Sequence, residues 1–246
     1  MRRTALAALA LSTAAGLTGC LAGEGKTDAT PKGPFVGLTG GQILDRAAIN
    51  TIDAPSLRLS GQMPDLSSSR HGTIRFDIAL SGKDECSGTL RYTEGTSHLV
   101  LTGGTLYVRY DERFFRAQDV DASAEEMDAA VDRFAGKWVK APVEDPEVEE
   151  LRRFCDLERP LGDRHVHSNA KRGETTTIEG TPVIAVREKN ENEHITAYVT
   201  TKGTPYVIQM ESYGGYGQAT FLFSDFGKAA APRKPEGDII DMATLF

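Results

Sequence analysis

A strict alternation of apolar and polar side chains over residues 73–80 constrains the fold more than any other feature. Ile74, Phe76, Ile78 and Leu80 occupy the apolar positions of this stretch. A period of two describes a β-strand with one face buried and the other in solvent. Similar short patterns follow, and Gly103-Gly104 separates two of them. Short alternating strands joined by glycine-rich turns predict an antiparallel meander.

Three helix starts are predicted. Thr39 and Ser123 each open a capping box, and Asp145 precedes a proline suited to the first helical position. The first helix should run to about Ile52. The residues expected to face inward in the three helices are Ile43, Leu44, Ala47 and Ala48; Met127, Val131 and Phe134; and Val148, Leu151 and Phe154 or Cys155.

Further strands are expected after these helices, over residues 175–178, 182–187, 194–200, 206–210 and 219–223. The order helix, strands, helices, strands predicts an α+β fold. We expect a strongly curved antiparallel sheet, a half-barrel, with helices over its concave face. Such a sheet either fills its gap with side chains or encloses a ligand cavity, and periodicity leaves both outcomes open.

The N-terminus predicts export. Two arginines, an apolar run from Thr4 to Ala15 and small residues before Cys20 describe a secretory signal. Residues 17–20 resemble the bacterial lipobox, which implies a signal peptide over 1–19 and a diacylglycerol on Cys20; an ordinary signal with an accidental cysteine is the alternative. Residues 20–35 are then a lipidated N-terminus and flexible tether before a domain over 36–246. The expected location is extracytoplasmic, anchored by lipid to the cell membrane.

Charge and cysteine content narrow the function further. Both arginines leave with the signal, so the mature charge is −7 − 2 = −9, which disfavours binding to nucleic acid phosphates. If Cys20 carries the lipid, Cys86 and Cys155 remain as a disulfide pair in an oxidising compartment. Two buried free thiols are the alternative.

Other motifs favour neither an enzyme nor a metal or cofactor site. Ser168 and Lys171 fit the Ser-x-x-Lys pattern of penicillin-binding enzymes, but the segment around them is polar and its partner motifs are missing. His165 and His167 alternate as metal ligands can, without a third ligand to complete a site. Residues 213–217 are rich in tyrosine and glycine and are best explained as a hairpin turn.

The chain resembles the mycobacterial lipid-carrier lipoproteins of the LppX/LprG type, which share a half-barrel with the lipoprotein carrier LolA. The resemblance covers about residues 39–241 and rests on four structural motifs, at residues 57–61, 103–108, 178–183 and 223–227. It implies a carrier that holds a lipid or other apolar ligand against the concave face. An envelope docking protein with a filled core is the alternative. The residues we expect to line the cavity are Ile74, Phe76, Ile78, Leu90, Leu106, Val108, Ile195 and Phe221.

Overall fold

A computed structural model describes residues 34–66, 72–82, 85–118, 122–142, 149–162, 167–229 and 231–244. The strands of this part of the chain form one twelve-stranded sheet in the order β12-β6-β5-β4-β3-β2-β1-β11-β10-β9-β8-β7. The strands are β1 (Ser56–Asp65), β2 (Gly72–Ser81), β3 (Cys86–Tyr92), β4 (Gly95–Thr102), β5 (Thr105–Tyr110), β6 (Trp138–Pro142), β7 (Lys171–Ile178), β8 (Thr181–Lys189), β9 (Glu193–Thr200), β10 (Val207–Gly214), β11 (Gly217–Ser224) and β12 (Ile239–Asp241). Neighbouring strands are antiparallel except β6 and β12, and the order is not closed into a barrel.

The alternation in β2 has the predicted result. Its apolar residues are buried and those between them are partly or fully exposed. β2 pairs with β3, and Leu90 of β3 lies directly opposite Phe76. The described helices are α1 (Gly40–Ile52), α2 (Glu112–Gln118), α3 (Ala124–Phe134), α4 (Glu149–Arg152) and α5 (Glu158–Leu161), with 3₁₀ turns at Arg153–Cys155 and Met242–Thr244. The chain therefore has a large, mostly antiparallel sheet with a few helices.

Helix α1 begins and ends as predicted. Thr39 and Gln42 form the capping box, and the four predicted apolar residues are buried against the sheet. Thr51 fixes the helix to β10, because its hydroxyl donates to the Ala47 carbonyl and accepts from the Val207 amide. This fully buried threonine aligns α1 over strands β7–β10.

Three parts of the structure differ from the sequence expectations. Helix α2 was not predicted, and β6 and β12 add two strands at one edge. Helix α3 starts at the predicted capping box, but its apolar residues pack against α2 and none is fully buried. The third helix is broken into α4, a 3₁₀ turn and α5, while its predicted start at Asp145 lies outside the described residues. Helices α2, α4 and α5 are short and carry weak periodicity, which explains why α2 was missed and why the break between α4 and α5 was not expected.

The turn over residues 34–38 lies at one end of the sheet, here called the upper end, where β1, β8 and β10 finish and β2, β9 and β11 begin. Arg172, near the start of β7, holds this N-terminal turn in place. Its guanidinium donates to the carbonyls of Pro34 and Phe35 at 2.8 and 2.6 Å and to that of Leu38 at 3.1 Å. Among the described helices, none has the length and apolar content needed to cross a membrane.

Candidate functional site

A pocket of about 480 Å³ lies at the upper end, between strands β1, β2 and β11 and the segment over residues 149–161. Its apolar floor is formed by Leu59, Met63, Ile74, Phe76, Phe154 and Phe221. Its mouth is formed by Pro64, Asp65, Leu66, Glu150, Arg153, Asp156, Arg159 and Pro160. An apolar interior with polar groups at one side suits an amphiphilic guest better than a uniformly polar one.

Three aromatic rings shape the floor. Phe76 lies 6.1 Å from Phe154 and 5.6 Å from Phe221, measured between ring centroids. Phe76 and Phe221 belong to strands on either side of β1, and both are in register with Gly61. The rings meet above this glycine because no side chain separates them. A Cβ at Gly61 would lie 3.0 Å from Cζ of Phe76.

The segment covering the pocket, residues 149–161, is held down by a disulfide. Cys155 in the 3₁₀ turn is bonded to Cys86 at the start of β3, with their Cα atoms 5.7 Å apart and a sequence separation of 69. A second pocket of about 480 Å³ lies on the far side of this segment and is lined by Ile52, Leu80 and Leu101. Asp156 lines both pockets, so the covering segment runs between them.

Charged groups at the mouth are paired with one another. Arg153 lies 3.4 Å from a Glu150 carboxylate oxygen and 3.8 Å from one of Glu149. The Arg153 Nε is nevertheless buried without a hydrogen-bond partner among the described residues. A buried N–H without an acceptor costs free energy, although this one still lies 3.8 Å from a Glu149 carboxylate oxygen.

The eight predicted lining residues are found in three places. Ile74, Phe76 and Phe221 line the pocket. The residues buried in the packed interior are Ile78, Leu90, Leu106 and Val108. Ile195 packs against the core and also borders a separate polar groove with Lys171 and Glu188. Cys20 lies outside the described residues.

Sequence reasoning missed three residues of the floor, Leu59, Met63 and Phe154. Met63 continues the inward alternation of Leu57 and Leu59 beyond the gap at Gly61, so its position was available from the pattern. Phe154 was expected to face inward, but nothing local showed that it meets β2 and β11. That contact depends on where the covering segment crosses the sheet.

The rival motifs occupy different surroundings. Ser168 and Lys171 are both exposed to solvent. His167 instead has a partner at each nitrogen: Nδ1 lies 2.7 Å from a Glu188 oxygen and Nε2 lies 3.2 Å from the Leu161 carbonyl. His165 lies outside the described residues. The described part of the chain holds no group of three or more histidine, cysteine or acidic residues arranged to bind a metal.

Comparison with known proteins identifies the fold. No family model matches the chain, and no curated protein matches it in sequence. The crystal structure of LprF from Mycobacterium bovis is similar, with a TM-score of 0.53 and 14% identity, over 80% of this chain and 97% of LprF. Lipoprotein LppX from Mycobacterium tuberculosis aligns over the same shares with a TM-score of 0.46 and 10% identity. At these identities the likeness concerns the fold. The chain therefore has the fold of LprF, which agrees with the resemblance found in the sequence.

Proposed function

We propose that this protein binds the acyl part of a lipid in the upper pocket and carries it on the outer side of the cell membrane. The observation that carries the proposal is the pocket itself, about 480 Å³ in volume, with an apolar floor and a charged mouth. That volume falls in the range of about 300–1,000 Å³ typical of small-molecule sites.

Burial of an alkyl chain would supply most of the binding free energy. Each buried CH₂ group contributes about 0.8 kcal/mol, without any specific polar contact. The three phenylalanine rings and the side chains of Met63 and Ile74 offer such a surface. The head group of the lipid would remain at the mouth, beside the charged side chains of Glu150, Arg153 and Arg159.

The geometry of the sheet is part of this proposal. We infer that the twelve strands curve as a half-barrel, with α1 and the covering segment on the concave face. Two features support this: α1 and the disulfide at Cys155 lie on the face toward which the β2 apolar residues point, and an open sheet of this many strands rarely stays flat.

Membrane attachment and location follow from the N-terminus. We propose that Cys20 carries a diacylglycerol and holds the domain at the outer face of the membrane. Support comes from the signal-like residues 1–19 and from a disulfide, which persists in oxidising compartments.

One observation favours the docking alternative. Four of the eight predicted lining residues, Ile78, Leu90, Leu106 and Val108, are buried in a packed interior, so much of the inner face is filled. A docking protein would therefore bind a partner on its surface and hold no lipid. The two functions differ in whether lipid is bound.

Native mass spectrometry of the exported protein tests the proposal, with a matched pair of variants. Phe221 and Leu222 are adjacent in β11, but Phe221 lines the pocket and Leu222 is exposed. We expect lipid adducts on the wild type and on Leu222→Ser, and their loss from Phe221→Ser. Met63→Trp, which fills the pocket without adding charge, should also lose the adducts.

A clean apo mass for the wild type would overturn the carrier function and favour docking. Equal lipid content in Phe221→Ser, Met63→Trp and Leu222→Ser would place the lipid elsewhere. Circular dichroism of each variant separates loss of binding from loss of the fold.

A further inference from the structure

The large hydrophobic side chains that remain exposed are concentrated at one end of the molecule. Among the described residues there are five: Val36 (57% exposed), Leu66 (64%), Tyr213 (67%), Tyr216 (79%) and Leu222 (40%). The first four lie at the upper end, and we call them the apolar rim. Leu222 lies within β11, away from that end.

The strand register places two rim residues beyond the ends of paired strands. β1 pairs with β11 as far as Gln62 opposite Thr220, and Leu66 and Tyr216 each lie four residues beyond that pair along the chain. A Cβ placed on Gly217 would lie 2.9 Å from Cγ of Pro64, which confirms that these strand ends are in contact. Tyr213 is opposite Gln218 on the adjoining strand.

Val36 belongs to the same end through Arg172. The guanidinium binds the carbonyls of Phe35 and Leu38 on either side of Val36. Six strands lie side by side from β7 to β1. The five spacings between them, of about 4.8 Å each, give the rim an extent of about 24 Å. A surface of that width is broad enough to meet a flat partner.

We propose that the apolar rim rests on the lipid bilayer and turns the mouth of the pocket toward it. The inference rests on the proposed function, because it assigns the same pocket an orientation and a partner surface. Leu66 belongs both to the rim and to the mouth, so a lipid would pass between bilayer and pocket without crossing open water.

The position of the N-terminal chain supports a bilayer as the occupant. The described chain starts at Pro34, which Arg172 binds at the upper end. The number of residues between Cys20 and Pro34 gives a coil a reach of roughly 20 Å. A diacylglycerol on Cys20 would therefore keep the upper end close to the membrane.

The residue types of the rim also suit a bilayer interface. Tyrosine is enriched where proteins meet lipid head groups, because its ring is apolar and its hydroxyl is polar.

Helix α3 lies near this end, after β5 and α2, and its apolar residues Met127, Val131 and Phe134 are only half-buried. Glu191 in the nearby turn and Glu193 at the start of β9 outnumber Lys189 at the end of β8, so the attraction is apolar and not electrostatic.

Site-specific fluorescence quenching tests the orientation. The single tryptophan is changed by Trp138→Phe, and a new one is introduced by Tyr216→Trp or, as the matched control, by Leu222→Trp. The exported, full-length mature protein is placed in vesicles of phosphatidylcholine with brominated acyl chains. We expect at least about twofold stronger quenching at position 216 than at position 222. Equal quenching, or none at position 216, would overturn the orientation.

A second measurement separates this inference from the proposed function. In the variant Val36→Ser/Tyr213→Ser/Tyr216→Ser, which leaves the pocket lining intact, we expect lipid adducts to persist while transfer of a fluorescent phospholipid to phosphatidylcholine vesicles slows at least about tenfold. Unchanged transfer would contradict the role of the rim. A wild-type protein that carries no lipid adducts would instead contradict the carrier function.

Discussion

Phe76 and Phe221 contact each other across an intervening strand, with ring centroids 5.6 Å apart. β1 lies between their strands, and Gly61 of β1 is the residue both are paired with. A glycine flanked by two aromatic rings lets the floor of the pocket continue unbroken over three strands. The pocket therefore depends on a residue that has no side chain.

We predict that Gly61→Ala destabilises the protein. The new Cβ would overlap the Thr220 carbonyl oxygen, which belongs to the backbone and has little freedom to move, and the φ of 154° is unfavourable for residues with a side chain. Overpacking of this kind costs about 1–3 kcal/mol. Urea unfolding measures the loss. Gly215→Ala is the control, because a Cβ there has no atom within 4 Å.

Removal of the disulfide should lower stability and loosen the cover of the pocket. Cys86 and Cys155 are 69 residues apart, and the loop-entropy model gives about 4 kcal/mol for a bridge of that span. We expect Cys86→Ser/Cys155→Ser to unfold at lower urea concentration, with faster amide exchange over residues 151–157. Reductant should destabilise the wild type to the level of the variant and leave the variant unchanged; an equal effect on both would contradict the prediction.

Arg172 should control the order of the N-terminal turn. Its guanidinium binds three carbonyls, and a lysine ammonium cannot span them with the same geometry. Charged hydrogen bonds contribute about 1.5–3 kcal/mol each, so Arg172→Lys should lose about 2 kcal/mol and expose residues 34–38 to protease. Arg187→Lys, an exposed arginine on the neighbouring strand, serves as the control and should change little.

His98 should remain neutral to a lower pH than an ordinary histidine. Burial lowers the pKa of His98 below 6.5, and Arg109 and Arg91 lower it further by repelling the charged ring. Since the folded state favours the neutral form, its contribution to stability is present above the unfolded pKa. That contribution is lost as the pH falls through the folded pKa. NMR titration of the ring proton should therefore give a pKa below that of the unfolded chain.

The two arginines near His98 offer a direct check. Arg109→Gln should raise the pKa of His98, because one repelling charge is removed. Arg133→Gln, which removes a charge from α3, should leave it unchanged. An unaltered pKa of His98 in Arg109→Gln would contradict the repulsion assigned to Arg109.

Much of the local structure was predictable because its causes are local. The capping box at Thr39 and the period of two in β2 depend on residues a few positions apart, and both appear as expected. The hairpin turn between Tyr213 and Gly217 was predicted from its glycines for the same reason. Even the inward face of β2 was determined by alternation.

Tertiary structure decided which of the inward residues border a pocket. Leu90 and Phe76 are equally apolar and directly paired, yet only Phe76 meets Phe221, because β11 returns beside β1 and Gly61 leaves room. The order of strands depends on many weak contacts between residues far apart in sequence, and no short pattern encodes their sum. For that reason the sequence determined most of the strands and the faces that they bury, but not the edge strands β6 and β12. Only the assembled sheet placed the pocket, the covering segment and the apolar rim at one end.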